Sequence, residues 1–126
     1  MRIAIIFFIM TTNILAKEIT GIPKIVDGDT VHINNYKIRL EGIDAPEIRQ
    51  ICKKEKLKIS FNIGYTFYED YNCGKISKEK LTTKVQRSKI KCISSSKDRY
   101  KRYLATCFKN KINLNRWMVR NGHAVA

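Results

Sequence analysis

Apolar and polar residues alternate with a period of two in several short runs, each closed by a turn signal. In "TVHI" and "YKIRL" the residues Tyr36, Ile38 and Leu40 fall on one face, with Lys37, Arg39 and Glu41 on the other. Asn34 and Asn35 between the two runs suit a tight turn with positive φ. Upstream, "EITGIPKIV" predicts a strand broken by Gly21 and Pro23, so the first third of the chain is a meander of three strands. Gly42 interrupts the last of these, where a bulge would re-aim the residues after it. From Lys75 to about Ser88 the spacing becomes helical, with Leu81 and Val85 four apart and Ser77 as N-cap. The runs "KIKCIS" and "RYLATCF" predict two more strands, joined by a polar tip at Asp98–Lys101. A last helix opens at Asn113, sets Leu114, Trp117 and Met118 on one face and stops at Gly122. Residues 48–72 fit neither period. A basic run and an aromatic run there predict an inserted surface loop, with room for a short hairpin. Its aromatic residues suit either a small satellite core or a stacking platform for bases.

Five strands with a helix between the third and fourth predict a mainly β, α+β fold. The expected architecture is a five-stranded OB-fold Greek-key barrel with two or three helices. The chain has 126 residues, enough for one domain. Its N-terminus, "MRIAIIFFIMTTNILA", has a positive Arg2, an apolar run from Ile3 to Met10 and a small Ala16 suited to the position before a cleavage site. That is the pattern of a secretory signal peptide over residues 1–16, leaving residues 17–126 as the folded domain. The apolar run falls well short of the roughly 20 residues of a spanning helix. Export suits Cys52, Cys73, Cys92 and Cys107, which predict two disulfides in a small exported domain. With no C-x-x-C pair and two histidines, a zinc site is disfavoured. Cys92 and Cys107 lie at similar distances on either side of the polar tip, which favours pairing them across two strands and leaves Cys52 for Cys73.

Charge changes the picture next. Lys and Arg number 25 against 11 Asp and Glu, a formal net charge of +14, which suits either simple solubility or a polyanionic partner, nucleic acid or an anionic membrane. A basic amphipathic helix is absent outside the N-terminus, which counts against the membrane. In so basic a chain the acids cluster: Asp27, Asp29, Glu41, Asp44 and Glu47 follow one another closely. Mutual repulsion makes such a cluster costly unless a cation resides there, and a hard cation such as Ca²⁺ takes several oxygen ligands. "DGDT" lacks the spacing of an EF-hand, so the carboxylates must come from separate turns. "RLEGIDAPE" supplies the second turn, because Pro46 forces Ala45 to be extended and stiffens the corner between Asp44 and Glu47. Carboxylates beside an arginine suit a phosphodiester: cation and guanidinium hold it, and a glutamate handles a water.

"VDGDTV", "IRLEGIDAPE", "KDRYKRYLA" and "NRWMVRNGHA", in this order, resemble the thermonuclease, or staphylococcal-nuclease-like, family. The similarity spans nearly all of residues 17–126 apart from the insertion at 48–72. It implies an OB-fold, Ca²⁺-dependent phosphodiesterase that acts on DNA and RNA. By resemblance Asp29 and Asp44 match the calcium carboxylates, and Ala45 sits where a backbone carbonyl also binds the metal. Glu47 matches the general base for the attacking water, and Arg39 and Arg102 match the pair that grips the scissile phosphate. Arg99 and Tyr100 fall where members contact a neighbouring phosphate, and Asp27 falls at a structural position of the turn. Lys101 stands where members usually carry glycine. Members also continue past the position of "GHAVA" with stacking aromatic residues and a C-terminal helix, for which this chain has no counterpart.

Two functions remain open at this level. One is an exported nuclease, secreted or periplasmic, acting as a monomer on DNA or RNA with Ca²⁺ and without stable membrane association. The other is an inert OB-fold module that holds nucleic acid without cutting it. Asp29, Asp44, Glu47, Arg39 and Arg102 together favour the enzyme, since binding alone does not require them.

Overall fold

Strand β1 (Lys17–Gly21) and strand β2 (Lys24–Asp27) are separated by Ile22 and Pro23 alone, yet they occupy opposite edges of one sheet. Proline has no N–H to give a ladder, so the chain bends there instead of continuing as one strand. The sheet continues through β3 (Thr30–Ile33), β4 (Tyr36–Leu40), β7 (Ile90–Lys97) and β8 (Tyr103–Lys109) in the order β1-β7-β8-β4-β3-β2. A short β9 (Ile112–Asn113) pairs with β8. Because the two edges are halves of one bent segment, the sheet curls as an OB-fold requires. With β1 and β2 counted as one interrupted strand, the expected five-stranded plan is present. Its parallel pair is β4 with β8, where Arg39 lies opposite Leu104. This is a computed structural model, which describes Ile9, residues 15–59 and residues 64–126. The expected signal peptide lies almost wholly outside the described residues. Among these, no helix is long and apolar enough to cross a membrane.

Alternation fills the barrel as expected. Val31, Ile33, Ile38 and Leu40 are buried, as are Ile90, Cys92, Ala105 and Cys107 from the facing hairpin. Helix α1 (Cys73–Val85) adds Leu81 and Val85, and helix α2 (Leu114–Arg120) adds Leu114 and Met118. The Asn113 side chain accepts from Arg116 N, capping α2, and Gly122 follows with φ +71°. Cys92 stands opposite Cys107 in the register of β7 and β8, and the two are disulfide-bonded, as are Cys52 and Cys73.

Several expectations are refined or corrected. The insertion at 48–72, expected as a surface loop with room for a short hairpin, does carry one: strands β5 (Cys52–Ile59) and β6 (Tyr65–Tyr71) form a separate two-stranded sheet. Its two segments find hydrogen-bonding partners in each other, so the barrel's ladder is not needed. Helix α1 begins at Cys73, and Ser77 is inside it, not at its cap; the Ser77 hydroxyl donates to His123 O at 2.7 Å. A buried serine satisfied by a distant carbonyl carries the same local signature as a cap. Gly42 sits in a turn at φ +77° after β4, and the sheet's register shifts lie instead in β2–β3 and β7–β8.

Candidate active site

The turn between β2 and β3 places Asp27 and Asp29 on either side of Gly28. Both carboxylates hold the chain beyond β4. Asp27 Oδ1 accepts from Ile48 N at 3.0 Å, and Asp29 Oδ2 accepts from Ala45 N at 2.8 Å. The second oxygen of Asp29 accepts from the Thr30 hydroxyl at 2.9 Å, and the residue is 3% exposed. Gly28 is required by packing: a Cβ there would collide with the Ser77 hydroxyl and with Ala45. A Cβ on Gly74 would likewise collide with the Glu47 carbonyl, so α1 rests directly on the backbone of the acidic turn.

Arg39 joins the two turns. Its Nη1 pairs with Asp29 at 2.9 Å, and its Nη2 reaches Asp44 Oδ1 at 3.1 Å. Burial would lower the Arg39 pKa, but the charge of Asp29 and the hydrogen bonds to Asp44 and Asp29 outweigh it and hold the value above that of a free arginine. The backbone of Asp44 is fixed from the other side, where its N–H donates to Val125 O at 2.7 Å and its carbonyl accepts from Val125 N at 2.9 Å. The Asp44 side chain is nonetheless 74% exposed, so most of its acceptor capacity faces the cleft and solvent.

Arg102 reaches the same cleft from β7–β8. Asp98 accepts from Tyr100 N and Arg102 N, both at 2.9 Å, and from Arg102 Nε at 2.8 Å. This pairing uses Nε and leaves the two Nη groups of Arg102 outside it. Burial acts to raise the Asp98 pKa, but the hydrogen bonds from Arg102 and Tyr100 prevail and hold it below the ordinary carboxylate range. Lys101 completes the tip at φ +62°, in the left-handed region where glycine is at ease.

Asp27, Asp29, Thr30, Arg39, Asp44, Ala45, Glu47, Ile48 and Arg102 line one open cleft of about 390 Å³. The structure therefore gathers the expected metal carboxylates, Ala45, the expected base and both arginines. Arg99 and Tyr100 do not line it. Tyr100 is 62% exposed, and its ring lies under the Arg99 and Arg102 guanidinium groups at 4.9 and 5.5 Å. Glu47 is exposed, and no ion pair among the described residues holds its carboxylate. Gln50 anchors its backbone, donating from N to Glu47 O at 2.8 Å.

The donor set is all oxygen, which suits a hard cation over zinc or copper. Among the described residues no three His, Cys, Asp or Glu side chains converge on one point. The protein's share of a cation shell would thus be Asp29 and Asp44 carboxylate oxygens and a backbone carbonyl, with water and phosphate oxygens completing it. Three positioning residues escaped the sequence reading. Asp98 carries an Asx-turn signal that was legible but served only to mark the hairpin tip. Val125 and Asn115 carry no local signal. Asn115 is buried, donates to Glu41 O and Ala105 O and accepts from Cys107 N, tying the end of β4 to β8 and α2.

A mainly β barrel with an aspartate–arginine–glutamate corner at one end is the class that fold and cleft define. The sequence profile described as "Staphylococcal nuclease homologue" matches residues 37–126, and the chain belongs to that family. It is 34% identical over 112 residues to the succinoglycan biosynthesis protein ExoI of Rhizobium meliloti, covering 87% of this chain and 53% of that protein. It is 30% identical to an uncharacterized endonuclease of Haemophilus influenzae, covering 97% of this chain and 60% of the other. An uncharacterized protein of Methanocaldococcus jannaschii, MJ1439, is 30% identical over 119 residues, covering 82% of this chain and 56% of the other. The chain thus spans little more than half the length of these relatives.

Proposed function

We propose that the protein hydrolyses phosphodiester bonds of DNA or RNA, with Ca²⁺ as its cofactor. The observation that carries this reading is Arg39, which draws Asp29 and Asp44 together in the cleft that Glu47 and Arg102 also line. The family match over residues 37–126, which holds Arg39, Asp44, Glu47 and Arg102, supports the reading, as does a relative named an endonuclease. Asp29, Asp44 and the Ala45 carbonyl would hold the cation. Bound there, Ca²⁺ supplies positive charge next to the phosphoryl oxygens. Arg39 and Arg102 donate hydrogen bonds to those oxygens and stabilise the extra charge of the transition state. The Glu47 carboxylate accepts a proton from, and orients, the water that attacks phosphorus. Arg99 and Tyr100, at the rim beside Arg102, contact a neighbouring phosphate. The reading extends to place and state: the protein is secreted or periplasmic, which two disulfides in a small domain support, and it acts as a monomer without stable membrane association.

The test is to incubate the oxidised protein with plasmid DNA and with RNA, in Ca²⁺ or in chelator. Glu47→Gln and Arg102→Ala variants run in parallel. Cleavage that requires Ca²⁺ and falls by about 10²-fold or more in either variant is expected. Retained binding without cleavage would make the protein an inert OB-fold module. Metal-independent cleavage, indifferent to both substitutions, would overturn the site.

A further inference from the structure

A second depression neighbours the cleft. Ile48 forms part of the cleft wall and also part of the wall of this larger open groove of about 610 Å³. That groove runs along α1 and is lined by Lys75, Lys78, Glu79, Thr82 and Thr83. Lys75, Lys78 and Thr82 recur at spacings of three and four, so one helix face presents two ammonium groups and a hydroxyl in sequence. Lys75 is exposed and Lys78 half-buried, and among the described residues neither is in an ion pair. Among the described residues, Glu79 is the one acid on the wall. The basic hairpin strand β5, with four lysines in "CKKEKLKI", is tied by Cys52–Cys73 to the start of this helix, two residues before Lys75.

We propose that this groove is a subsite for the flanking nucleotides of a nucleic-acid strand whose scissile phosphate lies in the cleft. Lys75 and Lys78 receive successive backbone phosphates. The inference rests on the nuclease reading for the identity of the strand. The shared wall residue Ile48 and the two lysines beyond it select the occupant: a polyanionic strand held in the cleft by Arg39 and Arg102 can cross the apolar Ile48 and meet positive charge again at Lys75 and Lys78. Lysine, a flexible point charge, suits sequence-independent phosphate contact. The hydroxyl of Thr82 is not part of the subsite, since it donates to Lys78 O at 2.8 Å within the helix.

The experiment compares the wild-type protein with the double variant Lys75→Ala/Lys78→Ala. A second double variant, Lys91→Ala/Lys111→Ala, removes two exposed lysines that do not line the groove. Binding of a labelled 16-nucleotide single strand is measured by anisotropy across a salt series. The slope of log affinity against log salt should fall in magnitude by about 1.4 for the groove variant, two phosphate contacts on a single strand, and little for the control. In cleavage assays KM for the long strand should rise several-fold with kcat unchanged, and a dinucleotide with one phosphodiester should be cut as by the wild type. Equal slopes in wild type and groove variant, or an equal fall in the control, would overturn the subsite. So would anionic phospholipid vesicles that lose affinity in the groove variant while the oligonucleotide does not. If no substrate is cleaved but binding still depends on Lys75 and Lys78, the nuclease reading fails and the nucleic-acid groove stands.

Discussion

Two arginines reach the cleft, and they are held in opposite ways. Arg39 lies on β4 and is fixed by carboxylates from two other places, Asp29 in the β2–β3 turn and Asp44 after the strand. Arg102 is fixed by Asp98, four residues earlier in the same hairpin tip. The first arrangement exists only if the barrel is closed and the acidic turn is docked on α1. The second is a local turn that any well-formed β7–β8 hairpin would present. The Arg39 corner is thus coupled to the stability of the whole domain. The Arg102 tip can be loosened while the core stays intact.

Breaking the Arg39 corner should have the largest effect. Asp29→Ala removes an acceptor whose side chain is 5% exposed, orphans Ala45 N and leaves Arg39 beside Asp44 alone. A loss of about 3–5 kcal/mol in denaturant unfolding is expected, together with loss of cleavage. A cost under about 1 kcal/mol would mean that the corner is not coupled to the fold. Next comes the support beneath the tip. Cys92→Ala/Cys107→Ala opens a disulfide with a sequence separation of 15. It should cost about 3 kcal/mol and be read as a lower urea midpoint; an unchanged midpoint would refute it.

The tip itself should respond more weakly. Lys101 holds φ +62°, so Lys101→Gly should stabilise the protein by about 1 kcal/mol through relief of left-handed strain. Thermal unfolding would show a higher midpoint, and a lower one would contradict the account. The smallest effect is in pH. The Asp98 carboxyl is held below its ordinary range, so its contribution is fully present above the unfolded carboxylate value of about 4. It is lost as pH falls through the lower folded value. The stability difference between wild type and Asp98→Asn should therefore be constant from neutral pH down to about 4 and shrink below that. A difference that grows on acidification would have the wrong sign.

The legible parts of the molecule share one property: their partners are close in sequence. The β3–β4 alternation, the positive φ of Asn34 at +53°, the Asn113 cap and the Cys92–Cys107 pairing all arise from local patterns. The site residues were legible as types, because acids clustered in a basic chain demand a reason. Their hydrogen bonds were not. Asp27 holds Ile48 N and Asp29 holds Ala45 N, so both aspartates of "VDGDTV" serve first to fix the second acidic turn. The hairpin at 52–71 was legible only as an option within an inserted loop, because strands that pair only with each other are not held to the alternation that a barrel core imposes.

By itself, the sequence determined the strands of the barrel, the existence of both helices, the two disulfides and the identity of the acids and arginines. Period, turn chemistry and charge act over a few residues and are written in order along the chain. Only the tertiary structure decided that β1 and β2 part to opposite edges and that Val125 returns to hold Asp44. It alone brought Arg39 between two carboxylates and set a groove with Lys75 and Lys78 on its wall beside the cleft. Those outcomes depend on which distant backbone groups find partners when the barrel closes, and on packing as tight as Gly74 against Glu47, which no local pattern records.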